Sequence, residues 1–194
     1  MKLDYPALES RFVRLEPLAD RHRDGLRASC EADPDIWTSH YPYSMLGEHF
    51  DVFWDGAMAR AAKGHLLPYA VLRAGDCVGI SCYFPDPPNR TVEIGGTYFR
   101  PDARGGAVNP GAKRLMMGHA FDSGAIRVGF KVDALNARSR AAVLKLGARQ
   151  DGILRADRIT WTGRVRDTVV FSVLAEEWPP IRERLDARLA AGAT

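Results

Sequence analysis

Two stretches of this 194-residue chain carry residue types whose spacing can do chemistry. The first is Arg104-Gly105-Gly106-Ala107-Val108-Asn109. Two glycines allow a tight turn and a close approach of backbone to a ligand. A helix that follows directly points its free N–H groups and positive dipole end back at the turn, which makes a site for an anion, best a phosphate. Arg100 and Arg104 add positive charge. An ordinary strand-to-helix turn would use the same glycines for backbone reasons alone. The second stretch is 31–59, with six acids (Glu31, Asp33, Asp35, Glu48, Asp51, Asp55) and no Lys or Arg. It also holds Trp37, Tyr41, Tyr43, Phe50, Phe53 and Trp54. Acids beside aromatic rings suit a cationic, partly flat molecule. Phe50, Phe53, Trp54 and Ala57 fit one helix face and read as core, which leaves Trp37, Tyr41 and Tyr43 as wall residues.

The elements that must position these stretches follow from pattern and punctuation. Arg11–Glu16 alternates as a strand, Ala19–Glu31 reads as a helix, and an aromatic loop runs from Ile36 to Tyr43. A second helix starts near Ser44 or Gly47 and runs to Lys63. Strands Tyr69–Leu72, Val78–Phe84 and Thr91–Phe99 form a meander with Gly75-Asp76 at its first turn. In the next helix Asn109 is expected at N-cap and Pro110 at the first helical position. Ala112, Leu115, Met116, His119 and Ala120 would line its buried face. Strand Arg127–Val132, helix Ala137–Leu146, a hairpin about Thr162-Gly163 and helix Ile181–Ala191 complete the order. The expected fold is a single α/β (α+β) domain over 1–194 with a mixed sheet.

Composition bounds the rest. With 46% hydrophobic and 26% charged residues the chain is globular by composition. The net charge of +3 hides a split: residues 1–99 sum to −4 and residues 100–194 to +7. The arginines of the basic part are spread over several elements and do not interleave with aromatics, so nucleic acid is not an expected partner. No segment has the apolar length of a signal peptide or membrane span, so no membrane partner is expected. Three cysteines without a CxxC pair suggest reduced thiols and a cytoplasmic protein, and the five histidines lack metal-ligand spacing.

Four motifs in order then carry a resemblance: Glu93-Ile94-Gly95, Arg104–Asn109, Asn136-Ala137-Arg138-Ser139 and Lys145-Leu146-Gly147. With the tail Arg166–Leu174 and Glu177-Trp178-Pro179, they make residues 11–178 resemble the GNAT N-acetyltransferases, most closely their RimJ/RimL-like branch. The resemblance implies a mostly antiparallel central sheet with two splayed parallel strands, Thr91–Phe99 and Arg127–Val132, and flanking helices. It implies acetyl-CoA as co-substrate and no metal. The pyrophosphate would lie on Arg104, Gly105, Gly106, Ala107, Val108 and Asn109, with Arg100 nearby. Pantetheine would run along Tyr98 and Phe99, and Asn136 would bond it. A bulge at Gly95-Gly96 would help hold the acetyl carbonyl.

By the same resemblance Ser139 would protonate the leaving thiolate and Glu93 would act as base through a water. Ser139 and Asn136 could equally be helix-start residues, and Glu93 an outward charge. Tyr98 and Tyr83 are alternative acids. Trp37, Tyr41 and Tyr43 would form the acceptor wall, closed from the other side by Trp161. The acceptor is an amine, either a small amine-bearing molecule or a protein α-amino group; a homodimer is left open. One departure stands out: the family's central turn glycine is Ala107 here. If that position needs φ > 0, alanine costs about 1 kcal/mol. That keeps a second reading alive, a coenzyme A-binding module without catalysis.

Overall fold

The computed structural model describes residues 1–192. Eight strands form one sheet in the order β1-β2-β3-β4-β5-β6-β8-β7. They are β1 (Leu8–Glu9), β2 (Arg14–Pro17), β3 (Leu67–Arg73), β4 (Asp76–Asp86), β5 (Thr91–Phe99), β6 (Arg127–Asp133), β7 (Arg149–Ile159) and β8 (Val165–Leu174). All neighbours pair antiparallel except β5 and β6, which run parallel. The helices are α1 (Arg23–Glu31), α2 (Ile36–Ser39), α3 (His49–Ala62), α4 (Val108–Asp122), α5 (Ala137–Lys145) and α6 (Trp178–Ala191). Among the described residues no helix is long and apolar enough to cross a membrane.

Strand alternation sends side chains to two cores. On the back of the sheet, Val92, Ile94, Phe99, Val128, Phe130, Val169 and Phe171 pack with Met116 and Ala120 of α4, Val143 just above α5's end and Ile181 and Leu185 of α6. On the front, Ala70, Ile80, Cys82 and Tyr98 pack with Leu26 and Cys30 of α1, Trp37 of α2 and Phe50 and Trp54 of α3. The three cysteines are free thiols.

The meander, the crossover through α4 and the final hairpin lie where the pattern placed them. Several boundaries differ. The strand expected over Arg11–Glu16 begins only at Arg14, as β2, because Ser10 donates to the Val13 carbonyl and turns the chain there. The aromatic loop contains the single turn α2, whose Trp37 is drawn into the front core. Helix α4 starts at Val108, with Ala107 at its N-cap, so Asn109 and Pro110 sit inside its first turn. Helix α6 starts at Trp178, since prolines are tolerated in a first turn.

The feature that makes the site is the incomplete parallel pair. Strands β5 and β6 pair only at Thr91–Arg127, Val92–Val128 and Glu93–Gly129. Beyond Glu93 the two strands part. On its other side β5 carries a bulge: Ile80 opposes Tyr98 and Cys82 opposes Gly95, so Gly96 and Thr97 face the single residue Ser81. Gly96 takes φ +57°, a conformation that only glycine adopts freely.

Candidate active site

The turn from β5 into α4 opens at the parted ends of β5 and β6. Gly105 holds the left-handed bend at φ +80°, and a Cβ at Gly105 or Gly106 would meet nothing within 4 Å. The backbone N–H groups of residues 105–109 make no hydrogen bond among the described residues. Pro110 has none to leave unpaired. Five free N–H groups at the head of a 15-residue helix form a cradle for an anion. Ala107 is helical at φ −78°, so it carries no strain. The ground for doubting the turn, and with it for preferring a module without catalysis, is gone.

The guanidinium of Arg104 does not point at this cradle. Its Nε donates to the carbonyl of Phe99 at 2.6 Å and its Nη1 to Asp33 at 2.5 Å. It lies over the ring of Tyr98, and its Nη2 is buried without a partner. Arg100 is likewise engaged, with Asp102, which also holds Arg73. Those two cations draw the Asp102 carboxyl down to about 2.

Residues expected at the acceptor wall divide. Trp37 is 0% exposed; its Nε1 donates to the Cys30 carbonyl and its ring packs on Tyr41 and Tyr98. It supports the wall from within the core and offers no surface. Tyr41 donates to the carbonyl of Thr97 in the bulge at 2.6 Å. Tyr43 stacks on Phe53, and its hydroxyl lies beside Gly96. Burial pushes both phenols up. Trp161 at the tip of the β7–β8 hairpin donates its Nε1 to the Trp37 carbonyl at 2.8 Å and its backbone N–H to Pro42 at 3.1 Å. The hairpin is thereby tied to the aromatic segment. The acids of 31–59 are not all free. Asp33 holds Arg104, and Asp51 holds Arg23 and Arg27. Basic residues distant in sequence supply the partners that the stretch itself lacks.

Glu93 projects from the front of β5 at the last paired position, 3.0 Å from Lys131 Nζ. Its other oxygen lies beside Gly95. Asn136 caps α5 by accepting from the Ser139 N–H at 2.9 Å. The Ser139 hydroxyl makes no hydrogen bond among the described residues and is partly exposed. The two alternative acids are committed elsewhere. Tyr98 donates to Ser29 O at 2.6 Å and Tyr83 to Met116 O at 2.5 Å, both buried.

Two further candidates lie outside the residues that the sequence singles out for the site. Lys113 is 5% exposed inside the back core, with Nζ on Ser81 Oγ at 2.8 Å and Thr97 Oγ1 at 2.6 Å. Thr97 is thus held at its side chain by Lys113 and at its carbonyl by Tyr41. Desolvation pulls the Lys113 ammonium down to about 7. Arg166 is buried on the front of β8. Lysine and arginine rarely sit inside, so the residue types alone do not announce this burial.

The acetyltransferase (GNAT) domain family matches the chain over residues 13–149. The chain belongs to the GNAT acetyltransferases, in their RimJ/RimL-like branch. Among solved structures it is similar to a GCN5-related N-acetyltransferase from Brucella melitensis, at 30% identity and TM-score 0.87, covering 97% of this chain and 90% of the other. Mycobacterium smegmatis RimJ in complex with CoA-disulfide shares the fold at 23% identity and TM-score 0.79, covering 94% and 92%. So does the microcin C7 self-immunity acetyltransferase MccE in complex with acetyl-CoA and AMP, at 18% and 0.77, covering 85% and 93%. No curated protein matches. As a GNAT acetyltransferase this protein is an enzyme, and the bulge at Gly96 and the parted β5–β6 pair are the fold features expected of it.

Proposed function

We propose that this acetyltransferase moves the acetyl group of acetyl-CoA to the primary amine of a small molecule by direct attack in a ternary complex. The observation that carries the reading is the row of free N–H groups at 105–109, placed where β5 and β6 part. Pyrophosphate on that row sends the pantetheine arm into the gap, where strand edges have unpaired backbone groups to offer it. The thioester then lies near the Gly96 bulge.

Three tasks remain for side chains. Glu93, oriented by Lys131, takes the proton of the attacking amine, through a water. Backbone at the bulge, fixed by Tyr41 and Lys113 through Thr97, holds the carbonyl oxygen as it gains charge. The new N–C bond forms, the C–S bond breaks, and the thiolate takes a proton from the partly exposed Ser139 hydroxyl, which regains one from solvent while Glu93 releases its own. General acid and base steps of this kind contribute about 10²–10⁴-fold each.

Amide hydrogen exchange with and without acetyl-CoA tests the placement. Protection at residues 105–109 together with the 95–99 backbone is expected. Protection elsewhere, with none in these two segments, would remove the reading.

A further inference from the structure

The front of the sheet from β5 to β7 carries a chain of charged groups in which each carboxylate has its own cation. Glu93 has Lys131 at 3.0 Å. Asp157 has Arg158 at 3.1 Å and also accepts from Thr168 Oγ1 at 2.8 Å. Asp133, buried at the end of β6, has Arg164. One cation is left over. Arg166 is 5% exposed. Its Nε donates to the Thr168 hydroxyl at 3.0 Å and stands 3.8 Å from the Asp133 oxygen that Arg164 already holds. Its two terminal nitrogens bond to nothing among the described residues, and neither is sealed from solvent.

A guanidinium taken out of water costs several kcal/mol unless an anion meets it. Desolvation accordingly lowers the Arg166 pKa, and Arg158 and Arg164 press it the same way against the pull of Asp133 and Asp157. Arg166 also lies near enough to Tyr43 for its charge to act on that phenol. Tyr43 borders Gly96 of the bulge. The spare fork therefore faces the same side of the sheet as Glu93, across Lys131.

Resting on the acetyltransferase reading above, we infer that the amine acceptor also carries a carboxylate or phosphate group, and that Arg166 binds it. A planar fork with two free nitrogens matches the paired oxygens of either group. Binding there leaves the amine end of a small molecule directed toward Glu93. A polyamine or a polycationic amino sugar is disfavoured, because it would set further positive charge against Arg158, Arg164 and Arg166.

The test uses matched amines: an α-amino acid against its amide, an aminoalkyl phosphate against the amino alcohol, and a polyamine. Turnover is expected for an anionic member over its neutral twin by at least tenfold in kcat/KM. Its KM should rise at least tenfold in Arg166→Gln, with kcat changed less and with part of the loss restored in Arg166→Lys. Equal use of neutral or polycationic amines, or an unchanged KM, would overturn the inference. A second arm does not depend on turnover. With coenzyme A saturating, inorganic phosphate should raise the melting temperature of the wild type and not of Arg166→Gln. Equal responses would overturn the inference. Coenzyme binding without amine-dependent thiol release counts against the acetyltransferase reading, while the phosphate arm still judges Arg166.

Discussion

Arg104 Nη1 lies 2.5 Å from Asp33 Oδ2 and joins the turn before α4 to the segment leading into α2 and the aromatic residues Tyr41 and Tyr43. One residue comes from the basic part of the chain and the other from the acidic part. Both side chains are more than three-quarters buried, so solvent screens the pair only partly. On the proposed reading the phosphate site therefore rests on backbone donors, and Arg104 serves as a brace.

Arg104→Gln is then expected to lower stability by about 1.5–3 kcal/mol, the range for a hydrogen bond to a charged group. Coenzyme affinity should fall less than tenfold. Gly105→Val, which strains the φ +80° bend and re-aims the N–H row, should cost more than tenfold in affinity. Calorimetric titration of both variants with coenzyme A checks the order. The reverse order would return the pyrophosphate to the Arg104 side chain.

Ser139→Ala removes a hydroxyl that holds nothing in place. Turnover should fall roughly 10²-fold or more with coenzyme affinity unchanged. Asn136→Ala should instead cost about 1 kcal/mol of stability through the lost helix cap. Steady-state kinetics and denaturant unfolding separate the two, and full activity in Ser139→Ala would leave it a helix-start residue.

Glu93→Gln should lower kcat by about 10²-fold or more and flatten the limb of the rate profile that rises with pH. Lys131→Met, which frees the carboxylate from its partner, should lower kcat less. A wild-type profile in Glu93→Gln would pass the base role to solvent.

Lys113 makes a prediction about stability. Its folded pKa of about 7 lies below the ordinary lysine value of 10.5. Between those limits the unfolded chain holds a proton that the folded chain has released. Stability should therefore rise with pH across that window, by at most about 1.4 kcal/mol per pH unit. Below pH 7 both states are protonated and this slope vanishes. Lys113→Met should lack the rise. Parallel stability curves for the two proteins from pH 7 to 10 would show that Lys113 stays charged in the fold.

Much of the fold was legible because alternation and turn residues act locally. The meander, the two crossover strands and the Gly95-Gly96 bulge all announce themselves through residues adjacent in the chain. The glycine turn into α4 was legible for the same reason. What stayed hidden depends on partners distant in sequence. Asp33 looked free until Arg104, 71 positions on, was placed against it. Trp37 looked like a wall residue until α2 turned it into the front core. Nothing local marks Lys113 and Arg166 for burial, and only helix and strand register places them inside. The boundary of α4 also moved, because Ala107 could start the helix without the side-chain cap that Asn109 suggested.

The central claim is tested most directly by mixing the purified protein with acetyl-CoA and the matched amines while following free thiol and the mass of each amine. Thiol release that requires the amine, with one acetyl group gained per thiol, is the predicted result. Coenzyme binding with thiol release equal in the presence and absence of every amine would contradict the account.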